Sequence, residues 1–237
     1  MLSVRTTGRE DVGLTTRRRP RGSLNQQVIL DAAFAVTERG GLDAATFQAL
    51  GAELGAHPTA IYRHFRDKDE LLLAMIDALH AQTLAGLPEP TGDWAADLAV
   101  VAHRTREVFM RHPSVAAYAY RTAHREHEFH IVDRVIDCMR RAGFGDVAAA
   151  RMYRVFADFV LGYSALDAGL AALDPETRQA DLRSWEVEYR MLPAAQYPNI
   201  AAVAHALPAV DDPENFTLAV DLMIEAIRAR AAAASRP

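Results

Sequence analysis

Two stretches of this 237-residue chain carry side chains whose types and spacing suit chemistry. The first is Thr46 to Lys68, TFQALGAELGAHPTAIYRHFRDK. Helical spacing from Pro58 to Phe65 turns Ile61 and Phe65 inward and leaves Thr59, Ala60, Arg63 and His64 facing out. A short helix offering such groups after a tight turn suits the major groove of DNA. The second stretch holds His124, His127 and His130, interleaved with Glu126, Glu128 and Asp133. His-x-x-His on one helix can ligate a metal. A di-iron bundle site needs Glu-x-x-His on two helices plus two more carboxylates, and the sequence does not supply that pair of motifs. Arg121, Arg125 and Arg134 crowd the same stretch, as on a solvated or inter-domain face. A metal-binding helical bundle or enzyme built on these histidines is the rival to DNA binding. No resident metal or cofactor is expected.

The elements that must position the first stretch are legible around it. Phe47, Leu50 and Leu54 form one apolar stripe of a helix over about Thr46 to Leu54. Ala49 and Ala52 leave room for a crossing helix, and Gly55 suits a left-handed helix end. Pro58 suits the first position of the next helix, with His57 at its N-cap. Asp67 and Glu70 read as a capping box opening a helix through Leu71, Leu72, Met75, Ile76 and Leu79. Upstream, Ser23 and Gln26 read as another capping box, for a helix that buries Ile29, Ala32, Ala33 and Val36 and stops at Gly40–Gly41. Roughly 50 residues make a small core, so this unit is expected to lean on the helices C-terminal to it.

The alanine-rich first helix, then Thr46, Leu50, Gly51, Leu54 and Gly55, then Ile61, Tyr62, His64, Phe65, Asp67 and Lys68, resemble the TetR family of one-component regulators. The resemblance covers about residues 23–79. It implies that His57 to His64 is the recognition helix. By that resemblance Thr46, Tyr62, His64 and Lys68 hold the DNA backbone, and Pro58, Thr59, Ala60 and Arg63 lie nearest base edges. Backbone contacts position a protein, and base contacts specify sequence. Arg63 can pair with guanine, and Ala60 and the Thr59 methyl can touch a thymine methyl. Packing alone remains the competing role for Tyr62.

Arg17, Arg18, Arg19 and Arg21 surround Pro20 ahead of the first helix. Such an arm can track phosphates or enter the minor groove, with strong salt dependence. The chain's net charge is −5, yet residues 12–68 hold eight basic and five acidic residues. DNA binding needs a local basic face, and the acidity lies further on. The one cysteine, Cys138, excludes an internal disulfide and suits a buried apolar role in a reducing cytoplasm. Neither a membrane span nor a secretion signal is expected. No Gly-rich phosphate loop, His-Glu-x-x-His or nucleophile elbow is present, so an enzyme is not expected.

The whole chain reads as all-α: a basic arm over 1–22, a three-helix helix–turn–helix domain over 23–68, and a helical effector-binding and dimerisation domain over 69–237. After the linker 86–93, helices are expected over Trp94–Arg111, Ser114 to about His124, Glu126–Ala142, a helix capped by Asp146 to about Leu173, Pro175–Met191, and Pro213 to about Ala232. Residues 193–213 read as loop. By resemblance, the helices beginning near Asp146 and Pro213 would pair with their copies in a homodimer. Candidate lining residues for a small apolar or aromatic effector are His103, Tyr118, Phe129, Met139, Tyr153, Phe156, Phe159, Tyr163 and Trp185. The functional expectation is a dimeric regulator, a repressor in the first instance, that binds a palindromic operator on double-stranded DNA and is released by its effector.

Overall fold

The computed structural model describes residues 24–119, 125–207 and 212–234, with side chains except at 185, 186 and 234. Among the described residues there are eleven helices and no strands. The first four are α1 (Gln26–Ala44), α2 (Phe47–Leu54), α3 (Pro58–Ile61) and α4 (Lys68–Ala85). The basic arm and Ser23 lie outside the described residues. The first helix begins instead at Asn25, whose Oδ1 accepts the Val28 N–H at 2.9 Å. It breaks at Gly41, where φ is 72° and ψ is 177°, a backbone that residues with a Cβ avoid.

Two apolar clusters organise the chain. The first joins α1–α4 through Ile29, Phe34, Leu50, Ile61, Phe65 and Met75. Val108, Phe109 and Val115, from the next two helices, enter this same cluster. The N-terminal unit therefore leans on its neighbour, as its small size demands. Each fully buried aliphatic or aromatic side chain contributes about 1.5–3 kcal/mol. His112 adds a polar tie at this junction. Its ring lies tilted against Phe34 with centroids 4.5 Å apart, and its nitrogens lie 3.3 Å from Glu38 and 3.2 Å from Gln82.

The remaining helices are α5 (Trp94–Arg111), α6 (Pro113–Ala116), α7 (Glu126–Arg141), α8 (Asp146–Ala171), α9 (Pro175–Met191), α10 (Pro198–Val203) and α11 (Pro213–Ala234). The second cluster packs α5, α7, α8 and α11 around Leu98, Met139, Phe156 and Phe216. Two ion pairs pin it. Arg106 Nε donates to Asp167 at 2.6 Å, and Arg141 donates to the buried Asp97 at 2.8 Å. Burial raises the Asp97 pKa, but hydrogen bonds from Thr91 and Arg141 outweigh that and hold it below its ordinary value.

Three sequence expectations shift here. α6 ends at Ala116, because Ala117 to Ala119 already form turns. Asp146 is the first residue of α8 rather than its cap, and Gly145 occupies the extended cap position with no side chain to offer. The Asp146 carboxylate instead reaches Arg140 at 3.1 Å. The segment read as loop contains α10, which Pro198 opens at its first position.

Candidate nucleic-acid interface and ligand cavity

The helix–turn–helix is set by contacts close in sequence. Thr46 caps α2, its Oγ1 accepting the Ala49 N–H at 3.1 Å. Gly55 ends α2 with φ 60°. Gly51 has a steric role: a Cβ there would sit 2.8 Å from the Ala56 carbonyl oxygen and 3.3 Å from the Pro58 ring. This close approach fixes how α3 crosses α2. His57 caps α3, its Nδ1 accepting the Thr59 N–H at 3.3 Å. The Thr59 hydroxyl lies 2.9 Å from the same nitrogen, so the Thr59 methyl is the part left to meet a partner.

The regular part of the recognition helix is shorter than the spacing implies. It stops at Ile61, and Tyr62 to His64 continue as turns, with the His64 and Phe65 N–H groups both bonding to the Ile61 carbonyl. The physical reason is Phe65, which is 2% exposed and must swing into the core just before Asp67 starts α4. The Asp67 carboxylate accepts the Glu70 N–H at 2.8 Å. The Glu70 carboxylate returns to the N–H of Arg66, one residue before the capping-box position.

The outward face then carries Thr46, His57, Thr59, Tyr62 and Arg63, all exposed, with Pro58, Ala60 and His64 partly so. Tyr62 combines packing and exposure. Its ring stands edge-on to Phe47 at 4.6 Å while 57% of the residue remains accessible. The His64 carbonyl accepts a bond from Gln26 at 3.4 Å, which ties the end of the motif to α1. Lys68 Nζ lies 3.5 Å from Asp43 at the surface. Arg18, Arg19 and Arg21 lie outside the described residues.

A cavity of about 350 Å³ opens in the helical domain among α4, α5, α7 and α8. Its apolar lining includes Val101, Ile131, Val132, Val135, Phe156 and Val160, and its polar lining is His80, Thr105, Glu128, Tyr153, Arg154 and Asp158. Burial pulls the His80 pKa down and pushes that of the Tyr153 phenol up, so both rings are neutral near pH 7. Of the nine expected lining residues, Tyr153 and Phe156 face this space. Met139 is fully buried in the second cluster. His103, Tyr163 and Phe159 join an aromatic row through Phe216, with centroids 5.2–6.0 Å apart from step to step. Tyr118 and Phe129 are exposed, and Trp185 lies on α9.

Sequence reasoning passed over His80, although a signal exists. It continues the buried stripe Leu72, Ile76 at steps of four in an apolar helix, where a solvated histidine is out of place. Among the described residues, the histidine cluster is represented by His127 and His130 alone. His124 lies outside the described residues, His127 Nδ1 is 2.9 Å from Asp77, and His130 is exposed. Among the described residues no three His, Cys, Asp or Glu side chains gather where they could hold a metal. No single helix among them is long and apolar enough to cross a membrane.

Fold and sites together define a class: a helix–turn–helix unit fused to an all-helical domain with an internal cavity. Residues 29–75 match the family described as bacterial regulatory proteins, tetR family, and residues 87–231 match the tetracyclin repressor-like C-terminal domain. The chain belongs to the TetR family of regulators. An HTH-type transcriptional repressor of Mycobacterium tuberculosis is 36% identical over 98 residues, which cover 41% of this chain and 38% of that protein. The HTH-type transcriptional repressor DrrR1 of Streptomyces coeruleorubidus is 23% identical over 199 residues, covering 82% of this chain and 74% of DrrR1. The structure of Streptomyces coelicolor ActR in complex with actinorhodin superposes with a TM-score of 0.76 at 25% identity, covering 88% of this chain and 98% of ActR.

Proposed function

We propose that the protein is a ligand-responsive transcriptional repressor that binds a palindromic operator as a homodimer and releases it when a small apolar or aromatic effector fills the cavity. The observation that carries this reading is the exposed outer face of α3, held rigid from behind by Ile61, Phe65 and the Gly51 contact. Two relatives bear the name of repressor, and the ActR neighbour is a ligand complex, which supports both halves of the proposal.

In this reading Thr46, Tyr62, His64 and Lys68 hold phosphates. The Thr46 oxygen accepts the capping bond, which leaves its proton free to donate to a phosphate oxygen. Arg63, Thr59, Ala60 and Pro58 meet base edges beside the His57 cap. Arg18, Arg19 and Arg21 add salt-dependent contacts from the arm. A chromosomal target puts the protein in the cytoplasm.

Pairing is supported by the outer faces of α8 and α11. Val147, Val155 and Leu166 on α8, and Leu218 and Leu222 on α11, are each more than half exposed. Lone exposed apolar residues are ordinary, but rows of them along two long helices mark an interaction face. A Cβ at Gly169 would meet nothing within 4 Å, so room for close approach goes unused inside one protomer. A two-fold pair of α3 helices would read two half-sites. The effector acts only through unequal affinity for the DNA-competent and released forms. Since α4 both lines the cavity and directly succeeds the motif, its position is the natural carrier.

Fluorescence anisotropy on duplexes containing inverted repeats tests the reading, with light scattering to report mass. Specific, salt-sensitive binding by a dimer is expected. Binding by a monomer, or equal affinity for every duplex, would overturn it.

A further inference from the structure

One polar atom on the cavity wall has no use within the fold. His80 lines the cavity and is 7% exposed, and its Nδ1 is buried without a hydrogen-bond partner. Buried polar atoms are normally paired, so an orphan on a side chain that borders an open space calls for an outside partner. Three polar side chains on the same wall are already engaged. The Thr105 hydroxyl donates to the Val101 carbonyl at 2.8 Å, and Arg154 pairs with Asp158 at 2.9 Å. Around His80 stand Glu128 from α7, Asp77 from its own helix, and His127 bonded to that aspartate. The rest of the wall is largely apolar, with Val135, Phe156 and Val160 in its lining.

We propose that His80 is the polar anchor of the effector site and that it selects an uncharged ring compound carrying a hydroxyl group. This rests on the ligand-responsive reading above. A hydroxyl both donates and accepts, so it satisfies Nδ1 in either imidazole tautomer. The apolar walls suit a flat ring, and the volume falls at the small end of ligand sites. An anion is disfavoured, because Glu128 lines the same space while the lining guanidinium of Arg154 is neutralised by Asp158. Burial also keeps His80 uncharged near pH 7, so it offers an anion no counter-charge.

The test uses the full chain, with 1-naphthol, naphthalene and 1-naphthoate as probes in equilibrium dialysis. One net hydrogen bond predicts that 1-naphthol binds about two- to tenfold tighter than naphthalene, with 1-naphthoate weakest. In His80→Leu the naphthol-to-naphthalene ratio falls to about one, while naphthalene binds as well as before. His80→Gln, which keeps a donor and an acceptor, retains part of the preference and stands in should the leucine variant fail to fold. An unchanged ratio in His80→Leu, tightest binding of 1-naphthoate, or no binding of 1-naphthol at all overturns the proposal. The same preparations are assayed on duplex DNA. Should one of those overturning results appear, retained DNA binding places the failure in the anchor assignment and not in the regulator reading.

Discussion

The caps and turns that direct the reading face lie between Thr46 and Glu70: the Gly51 approach to Ala56, the left-handed Gly55, the His57 cap and the Asp67 cap. The cavity draws its wall from residues as far apart as His80 and Gly162, on four helices and one turn. The first region is a local device, whose side-chain directions are set by caps and a turn. The second is a tertiary device, which exists only once distant helices pack. The two therefore respond differently to change. Local substitutions should abolish DNA reading while the cavity persists, and cavity substitutions should alter ligand choice while DNA reading persists.

The largest expected effect lies at the pairing face. Leu166→Arg together with Leu222→Arg should give a monomer by light scattering and weaken binding to a two-half-site duplex by about 10²–10⁴-fold, since linked half-sites gain that much from pairing. Affinity of the monomer for 1-naphthol should be unchanged. Next is Gly51→Ala, which forces a Cβ against the Ala56 carbonyl. Overpacking of this kind costs about 1–3 kcal/mol, read as a lower melting temperature with a larger loss of DNA binding than of 1-naphthol binding. An equal loss of both would show that the two regions are not separable.

Arg63→Ala should reduce discrimination at one base pair of each half-site by about 1–3 kcal/mol and leave binding to random duplex nearly unchanged. Lys68→Ala should instead weaken every sequence alike and lower the salt slope by about one per protomer. A sequence-selective effect of Lys68→Ala would contradict the role proposed for it. The smallest effect concerns pH. Burial lowers the folded pKa of His80 and His112 below the ordinary 6.5. The unfolded chain then binds protons that the folded chain refuses, so stability present above about pH 6.5 is lost as pH falls below it. Melting curves across that range should show the loss, and His80→Leu should flatten part of it.

The same contrast explains what the sequence made legible. Asp67 caps the helix that its position announces, because a cap bonds two or three residues ahead. The Asp146 cap failed, since Gly145 ahead of it can adopt the extended cap conformation without a side chain, and nothing in the pattern marks the difference. The recognition helix was cut short by a tertiary demand, the burial of Phe65, which 3.6-residue spacing does not report. Aromatics on α5, α7 and α8 read alike whether they fill a core, as Phe156 helps to do, or stay exposed, as Phe129 does. Which of them border a void depends on how helices pack. His80 was within reach, as a histidine on an otherwise apolar stripe.

The central claim is that two copies of α3 read two related half-sites. Selection of bound duplexes from a pool of randomised DNA by the purified protein tests this most directly. An inverted repeat with half-sites about one helical turn apart, or a multiple of that, is the predicted result. Recovery of a single unrepeated site, or of no preferred sequence, would contradict the account.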